Sequence, residues 1–476
     1  MTGRRCTASI LLAALVMLAG CAVHRPQAIT PPAPLPAAFA GQAAEATPPL
    51  GPLWQAFGDP RLDALVVEAF AGNLDLAGAV ARLEQLEALA RQSAAARSPV
   101  LNIEGRASRD AQPSFAGDFT GNSHSLSLAA GYEPDLWNKL KSRTAAARLE
   151  AEASREEIHA LYLGLSARVA DLYYLALEQR AQLELTDRTV GSFADTLERV
   201  ERRYREGLVP ALDIYQARQT LAAARARRPL FEASLASAEY ALASLLGRFP
   251  GPLPAAGLPA LPEAPEAFPA GLPSQLLARR PDVRAALRRV EAADAGVAAA
   301  IAERFPSFNL LGSYGTSRTA FSTGIISGDF WGMALSLAQP LIDGGRRKAE
   351  VERSRAAFRE RLAGYRQSVL SAFQEVEDAL ARNRATEQRI SRLAERASAT
   401  EASLRLSTER YLQGLSDYLP VLTAQALLLD AEGQLLASRR QLIADRITLA
   451  RALGGSWMET ELDHKLNTAQ TEGQQR

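Results

Sequence analysis

From residue 59 to residue 97, Leu62, Leu65, Val66, Leu76, Val80, Leu83 and Leu86 recur at helical spacing behind an Asp59-Pro60 start, and Pro99 ends the run. One helix is predicted there. Strict alternation follows: Leu101, Ile103, Gly105 and Ala107 share one face, Asn102, Glu104, Arg106 and Ser108 the other. After a loop placed near Gly117 to Asn122, Leu126, Leu128, Ala130 and Tyr132 alternate with small residues, which predicts a hairpin closed by Pro134. A helix of ~65 residues, about 100 Å at ~1.5 Å per residue, should then run from about Lys141 to Glu206, with Ile158, Tyr162, Leu165, Val169 and Leu172 on one stripe.

The same order appears again. Phe308, Leu310, Gly312 and Tyr314 form one face of a strand, and Trp331, Met333, Leu335 and Leu337 one face of the next, which Pro340 closes. From about Arg347 to Gln413, Phe358, Leu362, Tyr365, Val369, Ala372, Val376 and Ala379 alternate spacings of four and three, a coiled-coil seam. Arg203, Tyr204, Gly207, Leu208, Leu212 and Ala217 recur as Arg410, Tyr411, Gly414, Leu415, Leu419 and Ala424, 207 positions on. The same shift relates Asp75 to Asp282, Leu246-Gly247 to Leu453-Gly454, and Arg97, Pro99, Asn102 and Gly105 to Arg304, Pro306, Asn309 and Gly312. One offset covering most of the chain means an internal tandem repeat, with a unit too long for a solenoid. The expected division is residues 59–249 for the first repeat, 250–274 for a Pro-rich linker, 275–456 for the second repeat and 457–476 for a polar tail.

Charge narrows the class: 54 basic against 53 acidic residues argue against a nucleic-acid surface. The N-terminus adds a location. Arg4 and Arg5 precede an apolar run ending in Leu18-Ala19-Gly20-Cys21, a secretory signal with a lipobox, so residues 1–20 are expected to be removed and Cys21 to carry lipid. Residues 21–58, rich in Pro and Ala, read as a tether. Cys6 falls in the removed part, which leaves the mature chain without a disulfide. Beyond the signal no apolar stretch approaches the ~20 residues of a spanning helix, so any spanning structure is a β-barrel. Four strands cannot close one, because the smallest membrane barrels have about eight; three chains would supply about twelve. The fold class expected is mainly α with a transmembrane β-barrel, the long helices continuing the barrel as a tube.

The segments Tyr132-Glu133-Pro134-Asp135-Leu136-Trp137-Asn138-Lys139-Leu140, Arg280-Pro281-Asp282-Val283, Phe305-Pro306 and Gln339-Pro340-Leu341-Ile342-Asp343-Gly344-Gly345 resemble signatures of the TolC-like outer-membrane factors, and most closely their OprM/NodT-type lipoprotein branch. With the repeated Tyr-x-x-Gly tips, the likeness covers almost the whole mature chain. It implies a homotrimer with a twelve-stranded barrel in the outer membrane and a twelve-helix periplasmic tunnel, working with a periplasmic adaptor and an inner-membrane pump, often of the resistance-nodulation-division class. The function implied is a passive exit duct for drugs or other small toxic compounds. Type I protein secretion and metal efflux stay open as alternatives, as does a lipid-anchored coiled-coil scaffold without a pore.

His24, His124, His159 and His464 are scattered, and no metal or nucleophile constellation stands out, so no enzyme, cofactor or metal site is expected. The resemblance places a constriction and adaptor contacts at the helix-turn-helix tips. For the constriction the choices are Asp417, Asp213 and an apolar ring at Leu415, although several family members carry their acids where this chain has Ser416, Pro420 or Thr423. Solvated or capping aspartates are the ordinary alternative. Gly207, Leu208, Gly414 and Leu415 are the expected adaptor-contact tips, against plain helix-ending glycines. Tyr204 and Tyr411 are expected in the core at helix ends, and Trp137 and Trp331 either in an interfacial belt or packed at the junction of strands and helices.

Overall fold

The computed structural model describes residues 24–40, 45–48, 50–112, 119–252, 260–321 and 324–474. Cys21 and the signal lie outside the described residues. The first repeat runs α1 (Pro60–Gly72), α2 (Leu74–Ala95), β1 (Val100–Gln112), β2 (Phe119–Tyr132), α3 (Lys139–Arg205) and α4 (Ala211–Leu245). The second runs α5 (Pro273–Arg279), α6 (Pro281–Ala302), β3 (Ser307–Phe321), β4 (Gly324–Ala338), α7 (Arg346–Leu412) and α8 (Leu419–Leu453), and α9 (Trp457–Gln474) follows. Both long helices, α3 and α7, have 67 residues, and both return helices, α4 and α8, have 35, so the duplication read from the offset extends to element length.

Three expectations need correction. The helix expected from Asp59 to Arg97 is two helices, because Asn73 adopts extended backbone. Its side chain donates to Leu245 O at 3.0 Å and accepts from Leu76 N at 3.0 Å, capping α2. Helical periodicity persists across such a one-residue break, which hid it. The loop expected up to Asn122 is shorter, since β2 already begins at Phe119. The segment expected as a polar tail forms α9, with Trp457 half-buried and Met458 and Leu462 buried.

The chain forms two compact units, one of residues 1–31, 81–155 and 285–367, the other of 32–80, 156–284 and 368–476. The first holds the sheet, antiparallel in the order β1-β2-β3-β4. The motifs around its strand-to-helix turns are caps. Asp135 accepts from Leu140 N at 3.0 Å and Lys141 N at 2.7 Å to start α3; Asp343 accepts from Gly345 N at 3.0 Å and Arg347 N at 3.2 Å to start α7. Trp137 stacks on Phe305 at 5.0 Å and donates to Pro306 O at 2.7 Å, the junction packing, whereas Trp331 is exposed on the sheet.

The second unit is held by aromatic packing. Trp54 meets Phe70 and Trp457 edge-on at 5.5 and 4.8 Å, and Phe70 meets Tyr162 at 4.9 Å. The Arg-Pro-Asp-Val motif is a buried clamp: the Arg280 guanidinium donates to both Asp282 oxygens at 2.9 and 2.6 Å and to Glu375 at 2.8 Å. No single helix among the described residues is long and apolar enough to cross a membrane.

Gly315 marks a close approach between β2 and β3. A Cβ there would lie 2.5 Å from Leu126 O and 2.6 Å from the Ser127 Cβ, whereas at Gly312 the nearest atom, the Ala130 Cβ, is 4.0 Å away. Gly315→Ala should therefore lower stability by about 1–3 kcal/mol, while Gly312→Ala leaves it nearly unchanged; thermal unfolding of the purified protein compares them.

Candidate functional site

The strand register assembles the apolar residues of four strands into rows on one face. Ile103, Leu128, Tyr314 and Trp331 form one row; Leu101, Ala130, Gly312 and Met333 the next; Tyr132, Leu310 and Leu335 the third. That face is open, with Met333 85% and Trp331 76% exposed. The other face of β2 holds Ser123, Ser125, Ser127, Ala129 and Gly131, all half-buried, as in a sheet curved around its polar side. Such a wall is apolar outside and small and polar inside, the alternation of a membrane barrel. β1 and β4 are the sheet's two edges, and each has one side whose backbone N–H and C=O groups are unpaired within the chain.

The expected constriction residues lie in the other unit, at two tips of the same construction. Gly207 N donates to Tyr204 O and Leu208 N to Arg203 O, both at 2.9 Å; Gly414 N donates to Tyr411 O at 3.0 Å and Leu415 N to Arg410 O at 2.9 Å. Each is a Schellman cap, and the glycine φ values of +73° and +74° are the left-handed geometry that it requires. Leu208 and Leu415 stand out at 60% and 65% exposure.

Between the tips the structure brings Asp213 to Tyr411. The Tyr411 hydroxyl donates to Asp213 Oδ2 at 3.1 Å, with both residues buried. Tyr418, 1% exposed, packs 5.3 Å from the Tyr411 ring, and Val200, Ala217 and Val421 complete the cluster. The Arg203 guanidinium lies 5.2 Å from the centre of the Tyr411 ring and donates to Leu412 O at 2.6 Å, so it bridges the end of α3 to the end of α7. Asp417 is exposed and outside this hydrogen-bonded set. Of the two tyrosines expected in the core, only Tyr411 is there; Tyr204 is 45% exposed.

Burial raises the Asp213 carboxyl above the ordinary aspartate range and nearby Asp417 adds to this, while the Tyr411 hydrogen bond and Arg203 oppose it. Burial likewise raises the Tyr418 hydroxyl to about 12, with Asp213 adding to the effect. Arg203, Tyr418 and Gln425, which contacts Tyr418 at 3.4 Å, were not among the expected site residues. The repeat alignment had singled out Arg203, but only the fold shows that it crosses to the other tip.

Against known proteins, residues 65–248 and 272–455 match the family described as outer membrane efflux protein. The chain belongs to this family. It is 32% identical over 463 residues to the solvent efflux pump outer membrane protein SrpC of Pseudomonas putida, covering 94% of this chain and 98% of that one. It is 29% identical to the cation efflux system protein CusC of Escherichia coli, over 85% of this chain and 88% of that one. The crystal structure of the open state of the Neisseria gonorrhoeae MtrE outer membrane channel superposes with a TM-score of 0.81 at 29% identity, covering 92% of this chain and 99% of that one. The family's fold is the trimeric outer-membrane channel, two repeated halves with four strands per chain feeding a shared barrel and helices continuing it. This efflux channel is a duct in the outer membrane extending into the periplasm, not an enzyme, and it works with an adaptor and an inner-membrane pump.

A raised carboxyl in the folded tip means that the folded form holds its proton to higher pH than the unfolded chain does. Stability from this group is full below the ordinary aspartate value and is lost as pH rises through the raised one. Asp213→Asn keeps an acceptor for Tyr411 without the buried charge, and should flatten this dependence with no loss of unfolding temperature. Asp213→Ala orphans the Tyr411 hydroxyl, at a cost of about 1–3 kcal/mol. Calorimetry of the three proteins across that pH window separates them.

Proposed function

We propose that this chain is the exit duct of a tripartite pump that exports drugs or other small toxic compounds, with an inner-membrane partner of the resistance-nodulation-division class, and that the tip clasp holds the periplasmic end closed. The observation that carries the gating reading is the buried Tyr411–Asp213 hydrogen bond joining α7 to α4. A clasp built on an aspartate whose charged form is disfavoured is weak enough to be released by a partner, because only differential binding to open and closed forms shifts such an equilibrium. In the trimer Asp417 and Leu415 would each be repeated three times, giving an acidic and an apolar ring. The backbone is bare at Gly207 and Gly414, where an added Cβ would meet no atom within 4 Å, and with the exposed Leu208 and Leu415 beside them these turns suit contact with adaptor tips. Lipid on Cys21 would hold the chain to the membrane's inner leaflet.

Conductance of the reconstituted trimer tests the clasp. Tyr411→Phe combined with Asp213→Ala should raise conductance several-fold at neutral pH, and an unchanged value would remove the clasp from the gate. The name of CusC keeps metal efflux as a second reading of the cargo. In a deletion strain, sensitivity should rise toward dyes, detergents and organic solvents; a rise confined to metal-cation salts would favour the metal reading, and no rise at all would favour protein secretion.

A further inference from the structure

The helices leave the sheet from the end where Val100 pairs with Gly131 and Ser307 with Ala338, so the opposite end, where Gln112 pairs with Phe119, points away from the periplasm. Following the outward face toward that end, the apolar rows stop at Leu126. The next row is Ala107, His124, Arg318 and Ser327, and the one after it Arg109, Asn122, Ala320 and Ile325. His124 and Arg318 are thus direct cross-strand partners, with Arg109 on the diagonal from His124. All three side chains are exposed, and none makes a hydrogen bond or ion pair with a described residue. The acid on this face, Asp329, pairs with Thr316 one row nearer the apolar band, diagonal to Arg318. Glu104 and Asp110 belong to the inward face of β1, as does Arg106.

Arg109 and Arg318, with the His124 imidazole between them, place two fixed positive charges on one exposed face, an arrangement that an anion held between them stabilises. Here they crown a lipid-facing band at the level of the outer leaflet's headgroups. Rows repeat every ~7 Å and strands every ~4.8 Å, so Arg109 and Arg318 start about 12 Å apart, a span that two arginine side chains can close on one phosphate. We infer that Arg109, His124 and Arg318 form a binding site for the phosphorylated glycolipid of the outer leaflet, taking a phosphate monoester of its headgroup while the acyl chains lie on the Ile103–Leu128–Tyr314–Trp331 row. Charge complementarity and continuity with the apolar band both favour this occupant. Inside the barrel a free anion would meet the small polar wall instead.

The test uses the full-length trimer in detergent, with bisphosphorylated lipid A as ligand and native mass spectrometry as readout. Each basic residue near an anionic surface is worth about a factor of five, so the double variant R109Q/R318Q should bind about twenty-five-fold more weakly. R106Q, on the inward face of the same strand, should bind lipid A as the parent does. On the parent protein, dephosphorylated lipid A should lose a comparable factor, and millimolar inorganic phosphate should not displace lipid A. Equal binding by R109Q/R318Q, or indifference to removal of the phosphates, would overturn the site; displacement by inorganic phosphate would reduce it to a non-specific anion site and overturn it as well. Should the double variant fail to form trimers, the comparison of the two lipids on the parent protein decides the question alone.

Discussion

The backbone polar groups along the outer edges of β1 and β4 govern everything else in this molecule. In hydrocarbon each N–H or C=O without a partner costs several kcal/mol, and an edge strand of 13 residues in β1 or 15 in β4 presents a whole row of them. Among the described residues of one chain nothing answers that requirement, because the sheet order runs from β1 to β4 without closing. The edges can be satisfied only by the opposite edges of sister chains. Assembly is thus a condition for the wall to exist at all, and the open apolar face, untenable in water, becomes the surface that lipid covers.

The strand-to-helix turns and the helix-to-helix tips use their side chains in opposite ways. At the strand-to-helix turns the contacts are redundant: Asp135 and Asp343 each cap a helix with both oxygens, and Trp137 is fixed by a stack and a hydrogen bond. Such a junction transmits geometry from sheet to helix without slack. At the tips the contacts are few and one is costly. Ser416 Oγ and Arg203 Nε are buried with no partner among the described residues, and the Asp213 carboxylate is held where burial disfavours its charge. Low local stability of this kind suits the gating role proposed for the tips.

Much of this was legible in the sequence because it is carried by period and offset. The stripe that alternates fours and threes from Phe358 to Ala379 lies within one helix of 67 residues, and the register of four strands put every apolar position expected to share a face into common rows. What periodicity cannot see is a single residue that leaves the helical backbone while the pattern continues around it, as Asn73 does; its counterpart Arg280 breaks the second copy at the equivalent place. The site was half legible. Asp213 could be named as an acid near a turn, but its partner Tyr411 lies 198 residues away, and only the packing of α4 against α7 and α8 brings them together. Asp417 stands one residue away from Ser416, where several family members carry an acid, and the structure leaves it exposed beside the Tyr411–Asp213 contact.

The duplication itself explains why a clasp can form there. Two identical halves would present two identical tips, and a hydrogen bond between them would need each tip to carry both donor and acceptor. At the repeat offset Asp213 corresponds to Pro420, Asp417 to Pro210, and the buried Tyr411 to the exposed Tyr204. The acid survives in one half and its phenolic partner is buried in the other, while the long helices keep equal length and the caps keep equal geometry. Symmetry is retained in helix length and capping and lost in the side chains that meet between the tips. A proline at the position of the missing acid suits the first turn of a helix, which has no use for the lost N–H, so the divergence costs α8 little. The tip side chains could therefore diverge between the halves without disturbing the register of the strands.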